Sequence, residues 1–219
     1  MPTRHQTPGA PPPEPWRLAG DMDAAVWRLP VREVPRWRLP HGARPLVVGG
    51  KVTLVTFWVD YRPPGVLAYR ELLAALAVTH RGRIAGTAVA GWVDDERSLR
   101  GGRELWGIPK ERGVFVFSRD ASRLRARLTT ADGGTVHGDH RTGVPLPGPF
   151  PVRAHLVQDV GGEAVRVPLR VTGRPYVGRR ARFTVDGGGP LGFLDGRRPT
   201  ATVALRGFRF AFGRAAPGV

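Results

Sequence analysis

Val66-Leu67-Ala68-Tyr69-Arg70-Glu71-Leu72-Leu73-Ala74-Ala75-Leu76-Ala77-Val78-Thr79 is the stretch on which the fold turns. Its middle, Leu72 to Leu76, is leucine and alanine, both strong helix formers. Its length and setting equally permit a long strand buried on both faces. Local composition leaves helix and strand open, so the neighbouring segments have to be weighed.

On the upstream side, Lys51 to Asp60 is apolar at alternate positions of both parities (Val52, Leu54, Trp58 against Thr53, Val55, Phe57, Val59) and reads as a central strand. Tyr61-Arg62-Pro63-Pro64-Gly65 then reads as a turn, because proline presets φ and glycine relieves it. Downstream, Arg83 to Val93 is a second buried strand candidate, stopped by Asp94-Asp95-Glu96, which opens a short helical or irregular turn. Further strands are expected at Gly113–Ser118, Ser122–Thr129, Thr135–Asp139, Val152–Val160, Ala164–Thr172, Tyr176–Val185 and Thr200–Phe212, punctuated by glycine and proline. Many short-spaced strands with few helices predict a mainly β (α+β) fold built on an antiparallel sheet or barrel-like arrangement. Ala24 to Arg38 is strand-like and ends at Leu39-Pro40, with a turn at His41-Gly42. Residues 1–20 are proline-rich and are expected to form a flexible tail, with Trp16 a candidate to dock on the body; residues 21–219 are expected to form a single domain.

Composition narrows the chemistry. The chain has 219 residues and no cysteine, which excludes disulfides, thiol nucleophiles and thiolate metal sites. It lacks the apolar core of a signal peptide near Met1 to Pro15, and no run reaches the ~18 apolar residues of a membrane span. A soluble, cytoplasmic protein with no membrane partner is expected. The formal net charge is +16. The arginines are nevertheless spread along the chain, and Arg123-Leu124-Arg125-Ala126-Arg127-Leu128 alternates like the wet face of a strand. No specific nucleic-acid partner is therefore expected.

Familiar catalytic motifs are absent. Ser98, Ser118 and Ser122 are the only serines, and none lies in a Gly-x-Ser-x-Gly elbow. Gly187-Gly188-Gly189 lacks the Gly-Lys-Ser/Thr of a phosphate loop. His137-Gly138-Asp139-His140 has no evident third and fourth ligand and reads as an exposed polar loop, so no metal and no cofactor are expected. His80, after an apolar run, reads as a strand-end residue. The exception is Gly101-Gly102-Arg103-Glu104-Leu105-Trp106-Gly107-Ile108-Pro109-Lys110. Of 34 lysines and arginines only Lys51 and Lys110 are lysines, and Lys110 closes an apolar, turn-rich sequence. Arginine cannot substitute where an unprotonated amine must attack a carbonyl, since its guanidinium stays charged. Burial among Leu105, Trp106, Ile108 and Pro109 would disfavour the ammonium form, with Glu71, Glu104 and Glu111 as possible partners.

The segment Gly102-Arg103-Glu104-Leu105-Trp106-Gly107-Ile108-Pro109-Lys110 resembles the Gly-Arg-Glu-x-x-[Gly/Ala]-[Phe/Tyr/Ile]-Pro-Lys signature of the acetoacetate decarboxylase superfamily. Leu39-Pro40 and Tyr69-Arg70-Glu71 resemble that family's Leu-Pro and Tyr-x-Glu segments, and Val165 to Thr172, Gly178 and Phe183 follow its C-terminal half more loosely, over residues 25 to 212 in all. The resemblance implies an antiparallel β-cone or barrel, with Val66–Thr79 as strand. It implies Lys110 as the Schiff-base lysine, Glu71 as an active-site acid, and Tyr69 and Trp106 as shapers of the substrate pocket. It also implies a homo-oligomer. The expected function is a lyase acting on a small β-keto or α-keto acid by decarboxylation or aldol/dehydration chemistry. The alternative is a non-catalytic protein that binds a hydrophobic or carboxylate ligand in the same pocket. The chain departs from the pattern in two places: Glu111 stands where decarboxylases proper carry a second lysine, and Ala77 to Gly91 contains no acid to match a second pocket glutamate. The family's N-terminal arginine has no assigned match among Arg17, Arg28, Arg32 and Arg36.

Overall fold

The leucine–alanine run is extended. In the computed structural model, which describes residues 9–186 and 188–214, the elements in order are β1 (Trp16–Pro30), β2 (Ala43–Pro45), β3 (Val47–Val48), β4 (Lys51–Tyr61), β5 (Tyr69–His80), β6 (Arg83–Val93), α1 (Glu96–Trp106), β7 (Lys110–Arg119), β8 (Arg123–Thr130), β9 (Thr135–Pro145), β10 (Phe150–Val160), β11 (Glu163–Asp186) and β12 (Ala201–Phe212). Short 3-10 turns occupy Val31–Glu33 and Gly192–Leu194.

Strand geometry prevails in β5 because both of its edges and both of its faces are used. It pairs with β4 (Leu54↔Leu76 through Tyr61↔Tyr69) and with β6 (Glu71↔Val93 through His80↔Arg83). Leu72, Ala74, Leu76 and Val78 are fully buried, and the residues between them face the other side of the sheet. Helix preference is worth at most ~0.7 kcal/mol per residue among these types. Full burial of one leucine is worth ~1.5–3 kcal/mol, so packing outweighs propensity.

The pairings run β6–β7–β8–β9–β11–β12–β1–β4–β5 and return to β6, a closed circuit, with β10 lying between β6 and β11. The expected antiparallel sheet needs one correction: β6 pairs in parallel with β7 and with β10, so the sheet is mixed. Parallel neighbours need a crossover, and α1 is the crossover between β6 and β7. It is the reason Lys110, first residue of β7, lies opposite Gly91 of β6.

Several sequence boundaries move; β7 begins at Lys110 and β9 runs on to Pro145, beyond the expected Gly113–Ser118 and Thr135–Asp139. Trp16–Gly20, assigned to the tail, belong to β1 and pair with β12 from Trp16↔Phe212 to Gly20↔Phe208. Residues 1–8 of that tail lie outside the described residues. Val31 to Arg38, read as continuing strand, leave the sheet after Pro30. The two strands expected around Gly173 are one, β11, whose pairings shift register between Thr172 and Arg174 and again near Gly178, so the glycine and prolines bend it without ending it. The segment Gly9 to Pro15 touches α1, where Arg100 Nη1 donates to Gly9 O at 3.4 Å and Trp106 Nε1 to Glu14 Oε2 at 3.1 Å, and Trp16 Nε1 donates to Pro12 O at 2.8 Å.

Two clusters make the core. One, around Trp27, Leu54, Trp58, Leu72, Leu124, Leu128 and Phe183, fills the strand circuit. The second gathers Trp16, Tyr61, Tyr69, Val93, Trp106, Ile108, Phe208 and Phe212 beside α1. Among the described residues no helix is long and apolar enough to cross a membrane.

Candidate active site

The signature segment folds as a cradle for its own last residue. Asp95 caps α1, its Oδ1 accepting from the Ser98 backbone N–H at 2.9 Å. At the other end Gly107 takes the left-handed conformation (φ 63°), its N–H donating to Arg103 O, while Ile108 N–H donates to Gly102 O. The Gly107 bond closes the helix in the αL manner, with the Ile108 bond nested outside it, and Pro109 prevents its resumption. Lys110 then enters β7.

Two glycines inside a helix cost ~1 kcal/mol each relative to alanine, and packing explains both. A Cβ at Gly102 would lie 2.6 Å from Lys110 Cδ and 2.8 Å from Cε. A Cβ at Gly101 would collide with the Trp16 ring. Arg103 Nε donates to Lys110 O at 2.6 Å, fixing the backbone of the lysine from the helix. Gly102 thus clears the path of the lysine side chain and Arg103 anchors its main chain.

Lys110 Nζ lies 2.9 Å from Glu71 Oε1, and both side chains are only 4% exposed. Nζ also donates to Ser98 Oγ at 3.0 Å. Glu71 Oε2 accepts from Tyr61 OH at 3.0 Å. Tyr69 stacks against Tyr61 with ring centroids 4.4 Å apart, and its ring centroid is 5.2 Å from Nζ, within cation–π range. Burial, reinforced by the neighbouring Glu71 charge, pushes the Tyr61 and Tyr69 hydroxyls well above their usual pKa, which keeps both protonated.

Of the residues singled out in the sequence, Lys110, Glu71 and Tyr69 are together. Trp106 is one layer back: its indole Nε1 donates to Glu14 Oε2 at 3.1 Å, and its ring packs edge-on against Trp16 and Phe212. Glu111 is exposed on the opposite face of β7, and Glu104 is exposed in an ion pair with Arg100. Arg17, Arg32 and Arg36 are exposed, and Arg28 is engaged with Thr53 and the Val48 carbonyl. Sequence reasoning missed Tyr61, read only as a turn residue, and Ser98, set aside for want of a nucleophile elbow. The register Tyr61↔Tyr69 that pairs the tyrosines depends on the hairpin between β4 and β5.

A cavity of ≈ 460 Å³ ends against this cluster. Glu71 and Tyr61 are on its wall, and the remainder is almost wholly apolar, including Phe57, Leu73, Ala75, Leu205 and Phe210. Lys110, Tyr69 and Trp106 are not among its lining residues. A ligand in the cavity meets Glu71 and Tyr61 first, with the amine behind the carboxylate.

A second buried polar group occupies the other core. Asp23 receives Arg119 Nη2 at 2.7 Å and Arg206 Nη2 at 2.8 Å, and Arg206 also donates to Thr142 Oγ1. His140, expected in an exposed loop, is 3% exposed within β9, because alternation along the strand turns it inward. His80 is the last residue of β5. Among the described residues no group of three or more His, Asp or Glu side chains could hold a metal ion.

The sequence model of the family described as acetoacetate decarboxylase (ADC) matches residues 1–158. No match was found among curated proteins. Solved structures with similar folds include an acetoacetate decarboxylase from Legionella pneumophila (TM-score 0.65, 15% identity, covering 99% of this chain and 92% of that one). They also include the enduracididine biosynthesis enzyme MppR (0.63, 20%, 93% and 87%), and a further acetoacetate decarboxylase (0.63, 16%, 92% and 88%). At these identities the likeness is one of fold.

Proposed function

The chain belongs to the acetoacetate decarboxylase family, and on that premise we propose that it is a Schiff-base-forming lyase acting on a small β-keto or α-keto acid through Lys110. The observation that carries the reading is the buried contact of Lys110 Nζ with Glu71 Oε1 at 2.9 Å, at the end of a cavity. The other lysine, Lys51, is exposed.

In the proposed cycle Glu71 takes a proton from the ammonium group and swings aside, leaving Nζ a free lone pair. Attack on the ketone carbon gives a carbinolamine, which loses water to form the imine. Once protonated, the imine draws in the electron pair of the adjacent carbon–carbon bond. For a β-keto acid that bond joins the carboxylate, so carbon dioxide departs and an enamine remains. Protonated Glu71, or the Tyr61 hydroxyl hydrogen-bonded to it, returns a proton to carbon. Water then hydrolyses the imine, releasing the ketone and restoring the amine. In the aldol variant the enamine formed from an α-keto acid adds to an aldehyde carbon instead. MppR, of similar fold, has been solved with pyruvate and with the condensation product of pyruvate and imidazole 4-carboxaldehyde, which makes that variant worth testing here.

The test is borohydride trapping with acetoacetate, pyruvate or acetopyruvate, read by intact mass. A mass increase that disappears in Lys110→Ala supports the proposal; the absence of an adduct with every keto acid refutes it. A second reading, a binding protein in which Lys110 serves only as a counter-ion, is favoured by one observation: Nζ is occupied by Glu71 and Ser98 and is off the cavity wall. Ligand binding that survives Lys110→Arg would select it, because an imine mechanism tolerates no guanidinium.

A further inference from the structure

The cavity beside Glu71 is longer and more apolar than a small keto acid requires, and we infer that the ligand of this site carries an extended, uncharged hydrocarbon tail. The inference rests on the Schiff-base reading for the position of the reacting carbonyl and on the cavity wall for the nature of the tail.

Three observations carry it. The first is shape. Glu71, Leu73, Ala75 and Ala77 are successive same-face residues of β5, and all four line the cavity. The six rises from Glu71 to Ala77 span ~20 Å at ~3.3 Å each, so the cavity is a channel along β5 with its polar group at one end. The second is chemistry. Among the described residues no lysine or arginine lines the wall, and beyond Glu71 and Tyr61 the only ionisable lining group is His155. His155 sits on β10 next to Leu156, the partner of Gly86, and Gly86 pairs with Ala77, so it marks the end away from Glu71. An anionic group midway along the channel would be desolvated without a partner and is strongly disfavoured there. Methylenes lose nothing there.

The third is size. A volume of ≈ 460 Å³ would take on the order of 15 non-hydrogen atoms if each is given the ~30 Å³ share of one water molecule in the liquid. Ala75, Ala77, Ala154 and Gly86 keep the channel open where larger side chains would close it. Val152, on the wall and four residues before Leu156 on β10, is 47% exposed, so the channel reaches solvent away from Glu71. The geometry therefore orients the ligand with its ketone at Glu71 and Tyr61 and its tail running along β5 toward β10 and β12. A medium- or long-chain 3-oxo acid, or the corresponding methyl ketone, is the class that fits.

The experiment compares 3-oxobutanoate, 3-oxooctanoate and 3-oxododecanoate as borohydride-trapped adducts, and in parallel titrates 2-butanol and 2-dodecanol, which cannot form an imine, by tryptophan fluorescence. Each buried methylene is worth about fourfold in binding. The half-saturating concentration for trapping is expected to fall at least tenfold from the shortest to the longest acid. 2-Dodecanol should bind saturably and 2-butanol should not. Ala75→Trp, checked for folding by circular dichroism, should erase the chain-length gain. Equal trapping of all three acids together with no binding of 2-dodecanol overturns the inference and leaves the Schiff-base reading standing. No adduct at any chain length, with 2-dodecanol binding that Ala75→Trp abolishes, sustains the tail assignment and defeats the Schiff-base reading instead.

Discussion

Lys110 on β7 and Glu71 on β5 are 39 positions apart in the chain and 2.9 Å apart in the fold, with neither side chain more than 4% exposed. A buried pair of this kind is far more sensitive to the loss of one member than to the loss of both, because a lone buried charge has no compensation. Lys110→Met and Glu71→Gln are each expected to destabilise the protein by ~3–5 kcal/mol. The double variant should lose clearly less than the sum. Urea denaturation of the four proteins measures the coupling, and strict additivity would mean that the two charges do not interact.

Gly102 offers a test that separates geometry from stability. Gly102→Ala raises helix propensity by ~1 kcal/mol, yet its Cβ would occupy the space of Lys110 Cδ and Cε. The expected outcome is a folded protein whose borohydride trapping at Lys110 falls by tenfold or more. Trapping equal to that of the parent would show that the lysine side chain does not need this path.

Asp23 is the hub of the second polar group. Burial works against its charged form, but hydrogen bonding and charge from Arg206, with charge from Arg119, outweigh it and hold its pKa below the ordinary carboxylate value. Asp23→Ala leaves two guanidinium groups facing each other without their shared acceptor. A loss of ~3–5 kcal/mol is expected, measurable by chemical denaturation, whereas the trapping of keto acids by the surviving folded fraction should be unchanged.

His140 makes the fold acid-sensitive. Burial is the main cause that drops its pKa to about 4, opposed by the Asp23 and Asp139 charges and assisted by Arg119 and Arg206. Between the ordinary histidine value of 6.5 and about 4 the unfolded chain binds a proton that the folded one does not. Stability therefore falls as pH drops through that window, by ~3 kcal/mol at its lower end. Thermal melts between pH 7 and pH 4 should show this slope, and His140→Gln should flatten it.

Several parts of this picture were legible in the chain. Arg83–Val93 was read with the bounds of β6, and Lys51–Asp60 is β4 but for one residue, because long apolar runs between turn residues admit few other readings. Lys110 and Glu71 are legible as a candidate pair from the signature and from the resemblance of Tyr69-Arg70-Glu71 to a Tyr-x-Glu segment, and the fold brings the two side chains into contact. Tyr61 and Ser98 were not found. Each touches the Lys110–Glu71 pair from another element, and neither has a local motif to reveal it. The parallel pairing of β6 with β7 was missed for the same reason, since α1 is a crossover only once its two strands are known to be neighbours.

Residue order was enough to specify what is local: a β-rich chain, a short helical or irregular turn opened by Asp94-Asp95-Glu96, and a lysine that closes an apolar, turn-rich segment. Whether Leu72–Leu76 coiled or extended was settled by the strands on either side, since the burial available there exceeds any propensity. The same packing turned Glu111 outward and His140 inward, and it set Glu71 between the lysine and the cavity. Alternation along a strand tells which residues share a face, but which face meets the interior is a property of the closed sheet, where distant segments compete for the same space.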